Sequence, residues 1–243
     1  MSKAPATTRP SRSETQRRTI LDAASLLFIE KGFGGTNIND IADAVGMTRT
    51  ALYYYFPSKE SMLEALTHEV TERASDQTKE VAQRAELPPD EGLRQLILRH
   101  AGLILEHPLQ FRVVERSESS LPEAQRLAAQ AARRAVRKDF VDVIRRGIAL
   151  GVFLQVDADV AAFSIIGMCN WSAWWFDSRR GESIEPIANL LAELGLRMLQ
   201  VDASVKKKRM PSRGAAGAAD VDRALARVRT ALEELEGTLS GRG

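Results

Sequence analysis

The chain has 243 residues, 34 Lys and Arg against 32 Asp and Glu, and 44% hydrophobic residues, an ordinary globular composition with length for one large domain or two small ones. A net charge of +2 excludes a protein that coats nucleic acid over its whole surface, but it leaves room for a local basic footprint. The single cysteine, Cys169, excludes an internal disulfide. With no apolar core at the N-terminus and no run of about 18 apolar residues, the expectation is a cytoplasmic protein without a membrane segment.

Apolar residues recur at helical spacing in segment after segment and period-two alternation is rare, so the expected fold class is all-α. Residues 1–12, rich in Ser, Thr, Pro and Arg, read as a disordered basic arm, and residues 1–18 carry Lys3, Arg9, Arg12, Arg17 and Arg18 against Glu14. A first helix is expected from Ser13, with Gln16 completing a capping box, to Lys31. It buries Ile20, Ala24, Leu27 and Phe28 and ends at Gly32. Asn37 caps a short second helix, Ile38 to Val45, broken by Gly46. Thr48 caps a third, Arg49 to Tyr55, which stops at Phe56-Pro57 because the residue before proline resists the α region. Ser58 caps a long fourth. Further helices are expected at 58–85, 90–106, 108–116, 122–150, 157–178 and 184–201, punctuated by Pro and Gly.

Two short helices joined by Gly46-Met47, with a third before them, describe a helix-turn-helix in residues 13–60. A recognition helix must enter a major groove about 12 Å wide with compact polar or cationic residues at its tip and apolar residues behind. Thr48, Arg49 and Thr50 supply that tip. Leu52 and Phe56 face back toward Ile38, Ile41, Ala42 and Val45, which turns Arg49, Thr50, Tyr53 and Tyr54 outward. An arginine there can donate bidentately to guanine, and tyrosine hydroxyls can donate to phosphate. Thr36 and Asn37, beside the second helix, and Lys59, opening the fourth, are candidate phosphate contacts. One of three successive tyrosines packs inward in an alternative reading, and Tyr53 is the residue it puts in question.

The stretch from Phe33 to Leu66, FGGTNINDIADAVGMTRTALYYYFPSKESMLEAL, resembles the DNA-binding domain of the TetR family of bacterial one-component regulators. The marks are Ile41-Ala42, Gly46, Thr48, Leu52-Tyr53, Phe56 and Ser58-Lys59-Glu60. The resemblance implies phosphate contacts at Thr36 or Asn37, Tyr54 and Lys59, and base contacts at Thr48, Arg49, Thr50 and sometimes Tyr53. Thr50 stands where many members have glycine, so the operator sequence does not carry over. The resemblance also implies a ligand-binding and dimerisation domain, residues 61–203, a homodimer on a palindromic double-stranded DNA operator, and release by a small effector. The fourth helix, running from the DNA end toward the pocket, is the expected lever.

Trp171, Trp174 and Trp175 lie at i, i+3 and i+4 on one helix face. Such a stripe packs as core or interface, or else it walls a ligand pocket in which Asn170 supplies a polar group. The helix at 184–201, with Ile187, Leu190, Leu191, Leu194, Met198 and Val201 on one side, forms with the tryptophan helix the expected dimer interface. The NWSAWWF segment followed by Arg179 and Arg180 is similar to regulators of this family that respond to acyl-coenzyme A thioesters or lipid-like molecules; a hydrophobic drug or aromatic metabolite suits the same composition. Residues 204–219, including Lys206 to Arg209, read as a linker. Val221, Leu225, Val228, Leu232, Leu235 and Leu239 place an extra amphipathic helix at 220–240.

No cofactor, metal site or enzymatic activity is expected. His68, His100 and His107 are the histidines of the chain, and His100 and His107 are separated by a helix-breaking Pro108. No phosphate loop, nucleophile elbow or metalloprotease motif occurs. The rival readings are an enzyme of unrecognised class and a DNA-binding or scaffolding protein without a ligand, the latter favoured if residues 62–201 pack without a cavity.

Overall fold

The structure is a computed structural model and describes residues 11–177 and 181–200. Ten α-helices and one 3-10 turn occur among these residues; no strand does, and the single antiparallel bridge pairs Phe153 with Gln200. The expected linker at 204–219, the C-terminal helix at 220–240, Val201, Arg179 and Arg180 lie outside the described residues, as do residues 1–10.

Helix α1 (Arg12–Glu30) starts earlier than expected, because Ser11 and not Ser13 is its cap. The Glu14 amide donates to the Ser11 hydroxyl at 3.1 Å and the Ser11 amide donates to the Glu14 carboxylate at 2.6 Å. A carboxylate accepts a backbone N–H more strongly than a side-chain amide does and is favoured at a helix N-terminus, so this box prevails over Ser13 with Gln16. Ser11 and Arg12 therefore belong to the helix and not to the arm. The helix buries Ile20, Leu21, Ala24 and Phe28 and ends where Gly32 takes φ +74°, a left-handed conformation that glycine tolerates.

A single turn, α2 (Gly32–Gly35), follows; its GFGG sequence is a poor helix former and gives no local signal for one. Helix α3 (Ile38–Ala44) is capped by Asn37, whose side chain accepts from the Asn39 and Asp40 amides while Asp40 returns the bond to the Asn37 amide. Gly46 at φ +65° breaks it. Thr48 caps α4 (Arg49–Tyr55) through the Ala51 amide, and Ser58 caps α5 (Lys59–Ala82). These three caps sit where the sequence placed them. The remaining helices are α6 (Pro89–Glu106), α7 (Pro108–Ser117), α8 (Glu123–Ala149), α9 (Ala158–Trp175) and α10 (Ile184–Arg197), with a 3-10 turn at Glu118–Ser120 between α7 and α8. Proline opens α6 and α7, where its missing N–H costs no helical bond.

Ile20, Ala24, Phe28, Ile41, Leu52 and Phe56 are all buried in the N-terminal part of the core, joined by Met62, Leu63 and Leu66 of α5. Further along, α5 packs on α6, α7 and α8, while α6 packs on α9 and α10. The α8–α9 connection is seated on Gly147: the Val152 and Phe153 amides donate to its carbonyl, and the Phe153 ring lies 2.1 Å from where a Cβ would be. The expected boundary between residues 60 and 61 falls inside the first turn of α5, and α1 also packs on α7. The N-terminal helices are therefore joined to the larger bundle through two helices. No helix among the described residues is long and apolar enough to cross a membrane.

Candidate nucleic-acid interface and internal cavity

Helices α3 and α4, joined by the turn at Gly46, present the exposed residues Thr48, Arg49, Thr50, Tyr53 and Tyr54. Leu52 and Phe56, one helical turn apart, are fully buried, which fixes the rotation of α4 and turns the polar residues out. Tyr54 is 83% exposed and Tyr53 39%; Tyr55 is the partly buried member of the trio, packed against the core. Arg49 donates from Nε and Nη2 to the Tyr53 hydroxyl at 3.2 and 2.8 Å, and its guanidinium lies 5.3 Å from the Tyr53 ring centroid. Nη1 takes no part in those two bonds. From the other side, Arg17 of α1 donates to the Tyr55 carbonyl at 3.2 Å and stacks over Phe56 at 4.1 Å, tying α1 to the end of α4.

Two candidates are differently placed than the sequence suggested. Thr36 is 1% exposed, and its hydroxyl donates to the Leu27 and Gly32 carbonyls. Of the pair Thr36 or Asn37, Asn37 is the exposed member; its Oδ1 is occupied in capping, which leaves its side-chain N–H groups. Lys59 Nζ donates to the Phe33 and Thr36 carbonyls at 2.8 and 2.9 Å and sits over the Phe33 ring. It is a strap holding the α2–α3 connection to the start of α5, not a free cation. Thr36 ties α2 to the end of α1, adding a second donor to the Leu27 carbonyl that the Lys31 amide already reaches, whereas Lys59 serves carbonyls that the short glycine-rich turn leaves without helical partners.

A cavity of about 400 Å³ lies among α5, α6, α7, α8 and α9. Val70, Ala74, Phe111, Val114, Val136 and Ile166 give it an apolar wall. Two polar side chains meet within it: His100 Nε2 and Asn170 Oδ1 are 2.9 Å apart. Burial pulls the His100 pKa below its usual value, against the opposing effect of Asn170, so the neutral ring donates from Nε2 and keeps a lone pair on Nδ1, which finds no protein partner. Glu115 also lines the cavity, and burial raises its pKa despite Arg133. Cys169, fully buried nearby in sequence, has its thiol pushed up to about 12 by desolvation and is inert as a nucleophile.

Asn170 stands in the cavity as expected; Trp171, Trp174 and Trp175 do not line it. Trp174 stacks on Trp171 at 5.6 Å and packs edge-on against Phe111, so it stands behind a cavity residue. Trp171 and Trp175 are 64% and 48% exposed. Helical geometry accounts for these two, since Asn170 is rotated by about 100° from Trp171 and about 140° from Trp175; Trp174 lies one turn on from Asn170 and is taken up by Trp171 and Phe111. Val160, Trp171 and Trp175 on α9, Leu190 and Leu194 on α10, and Met198 just past its end are exposed apolar side chains.

A family model for the bacterial regulatory proteins of the tetR family matches residues 20–66, and a tetracyclin repressor-like C-terminal domain model matches residues 86–199. PfmR, a TetR-family transcriptional regulator from Thermus thermophilus, is 31% identical, with a TM-score of 0.65 over 73% of this chain and 97% of that one. The chain belongs to the TetR family. The transcriptional repressor KstR2 of Mycobacterium tuberculosis is 29% identical over 171 residues, 67% of this chain and 82% of the relative; its solved structure, described as a ketosteroid transcriptional regulator, gives a TM-score of 0.70 over 81% of this chain and 99% of that one. AibR, solved with isovaleryl coenzyme A and operator DNA, shares the fold at a TM-score of 0.60 and 24% identity, over 74% of this chain and 97% of AibR. The chain is thus a DNA-binding transcriptional regulator of this family.

Of the residues that line the cavity, the sequence points to Asn170 alone as a pocket residue. His100, Glu115 and the arginines of α8 were missed. His100 carried a signal: it occupies the apolar face of α6 with Leu93, Leu96, Ile97 and Ile104, where a polar side chain needs a buried partner. His107 has other surroundings, near Glu69, Arg73 and Arg18, so the two histidines do not converge. Among the described residues no three His, Cys, Asp or Glu side chains cluster to hold a metal.

Proposed function

We propose that this regulator is a homodimeric repressor that binds a palindromic operator through α4 and is released when a small, largely apolar effector fills the cavity. The observation that carries the reading is the outward set Thr48, Arg49, Thr50, Tyr53 and Tyr54 on a helix rotated into place by buried Leu52 and Phe56. Arg49 and Thr50 read base edges, and Asn37 and Tyr54 contact phosphates. Dimerisation covers the exposed apolar faces of α9 and α10, a surface that a monomer rarely leaves bare.

Two helices connect the cavity to the reading head. Helix α5 carries Val70 and Ala74 in the cavity wall and Lys59 at the head, roughly 16 Å from Val70 at 1.5 Å per residue. Helix α7 carries Phe111 and Val114 in the wall, and its Gln110 donates to Asp22 of α1 at 2.7 Å. An effector that binds more tightly to a conformation with wrongly spaced reading heads shifts the population away from DNA. The co-crystallised isovaleryl coenzyme A of AibR and the ketosteroid description of KstR2 support an acyl-coenzyme A thioester or lipid-like molecule. The cavity itself argues against a ligand-independent scaffold.

The test is a fluorescence-anisotropy titration against DNA from upstream of the protein's own gene, with and without acyl-coenzyme A thioesters and other hydrophobic molecules. Salt-dependent, sequence-selective binding released by one compound class is the expected result. Binding equal to that of scrambled DNA, for this fragment and for fragments chosen by random-library selection, refutes the proposal.

A further inference from the structure

We propose that the cavity takes an amphipathic anion, its apolar body against Val70, Phe111, Val136 and Ile166 and its anionic group held at the rim by Arg134 and Arg137 of α8. The inference rests on the cavity being the effector site and adds the chemical class of the effector and the direction in which it lies.

The lining is divided between a floor and an edge. His100, Phe111, Val114 and Val136 are buried, whereas Arg134, Phe163 and Gly167 are exposed and mark where the cavity meets solvent. Charge at that edge does not cancel. Helix α8 supplies Arg133, Arg134 and Arg137, and Glu115 is the acidic residue among the lining side chains. Arg133 is committed to Glu118 and approaches Glu115 to 3.8 Å. Glu115 is exposed at the same edge, and the arginine it approaches is Arg133.

Arg134 makes no hydrogen bond or ion pair with the described residues. Arg137 stacks on the Phe163 ring at 5.1 Å and reaches Asp159 at 4.0 Å, while Arg145 binds the same carboxylate at 2.9 Å. The stacking orients a guanidinium whose donor fork is left largely unused. A planar fork of this kind matches a carboxylate or phosphate bidentately.

The inner end fixes the orientation. The His100–Asn170 pair is neutral, so it offers hydrogen bonds and no charge to a buried ligand atom. An anion placed there would lose its hydration without gaining a counter-charge, whereas at the rim it meets two cations and keeps partial access to water. A neutral apolar ligand would fill the wall and leave Arg134 and Arg137 unanswered. A carboxylate on the ligand itself and the phosphates of a coenzyme A thioester both supply the required charge.

The experiment is isothermal titration of the full chain with decanoate, 1-decanol and decanoyl-coenzyme A, repeated on the Arg134→Gln/Arg137→Gln double variant and on Lys138→Gln, an exposed α8 control outside the cavity. At least one of the two anions should bind wild type ten-fold or more tightly than the alcohol. That margin should disappear in the double variant and persist in the control, with the ligand-free thermal midpoint of all three proteins unchanged. Arginine dependence for decanoate identifies the carboxylate as the recognised group; dependence for the thioester alone identifies the phosphates. Equal affinity for alcohol and anions, an anion margin that survives the double substitution, or no binding of any probe overturns the inference. Operator binding is measured on the same proteins: intact selective binding alongside any of those results removes this inference alone, whereas wild-type protein without selective DNA binding removes the regulator reading itself.

Discussion

Arg49, the proposed reader of a base edge, is held by a neighbour on the same helix. The Tyr53 hydroxyl accepts two of its N–H groups, so the guanidinium is partly oriented before any base is met and loses less rotamer freedom on binding. Arg49→Ala should weaken operator binding by about 1–3 kcal/mol and relax preference at one base position, checked by anisotropy with a set of single-base operator variants; unchanged selectivity would remove Arg49 from the reading tip. Lys59 leads to a different expectation. Because its ammonium satisfies two backbone carbonyls, Lys59→Met should cost about 1.5–3 kcal/mol of stability, read as a lowered denaturation midpoint, besides any loss of DNA affinity.

His100 gives a prediction in pH. Its folded-state pKa is depressed by burial from 6.5, while the unfolded chain regains the ordinary value. Below about pH 6.5 the unfolded state binds more protons, so this contribution to stability is complete above that pH and is lost as pH falls, by up to about 1.4 kcal/mol per unit. Asp22, Glu115 and Asp139, raised by burial, act in the opposite sense at lower pH. Urea denaturation at pH 7.5, 6.5 and 5.5 should therefore show a shallower decline for His100→Gln than for wild type, the difference isolating His100. Parallel declines would mean that His100 titrates normally in the fold.

At the scale of elements, short-range chemistry decided most boundaries. Asn37, Thr48 and Ser58 cap their helices because each offers a side-chain oxygen to an otherwise unpaired amide, and such signals are local and readable. The α1 cap was misplaced by two residues because two overlapping Ser-x-x boxes compete, and the stronger acceptor is distinguishable only by weighing Glu14 against Gln16. The one-turn α2 was not legible, since a glycine-rich turn folds there only with the Thr36 and Lys59 side chains holding its carbonyls. Gly147 shows the same limit: nothing near it in sequence announces that Phe153 will lie on its backbone. Gly147→Ala should cost about 1–3 kcal/mol through overpacking, measured as a thermal shift; a change near zero would show that the Phe153 ring can move aside.

For the whole molecule, the exposed apolar stripe on α9 and α10 is the feature that a monomer does not explain. Leu190→Glu/Leu194→Glu should convert the proposed dimer to monomers by light scattering. It should also weaken operator binding far more than the loss of any one base or phosphate contact, because the second head then binds without the effective concentration supplied by the first. A dimeric double variant with wild-type DNA affinity would place the interface elsewhere.

The sequence by itself determined the all-α class, the helix-turn-helix with its outward polar tip, and the apolar face of α10, because helical period and capping are properties of neighbours a few residues apart. Only the tertiary structure decided that the tryptophans stand outside the cavity, that Asn170 meets His100 seventy positions away, that Thr36 and Lys59 serve the backbone, and that Arg134 and Arg137 reach a cavity rim. Those relations depend on which face of one helix meets which face of another, and helix rotation and crossing are set by packing across the bundle, to which the local pattern is blind.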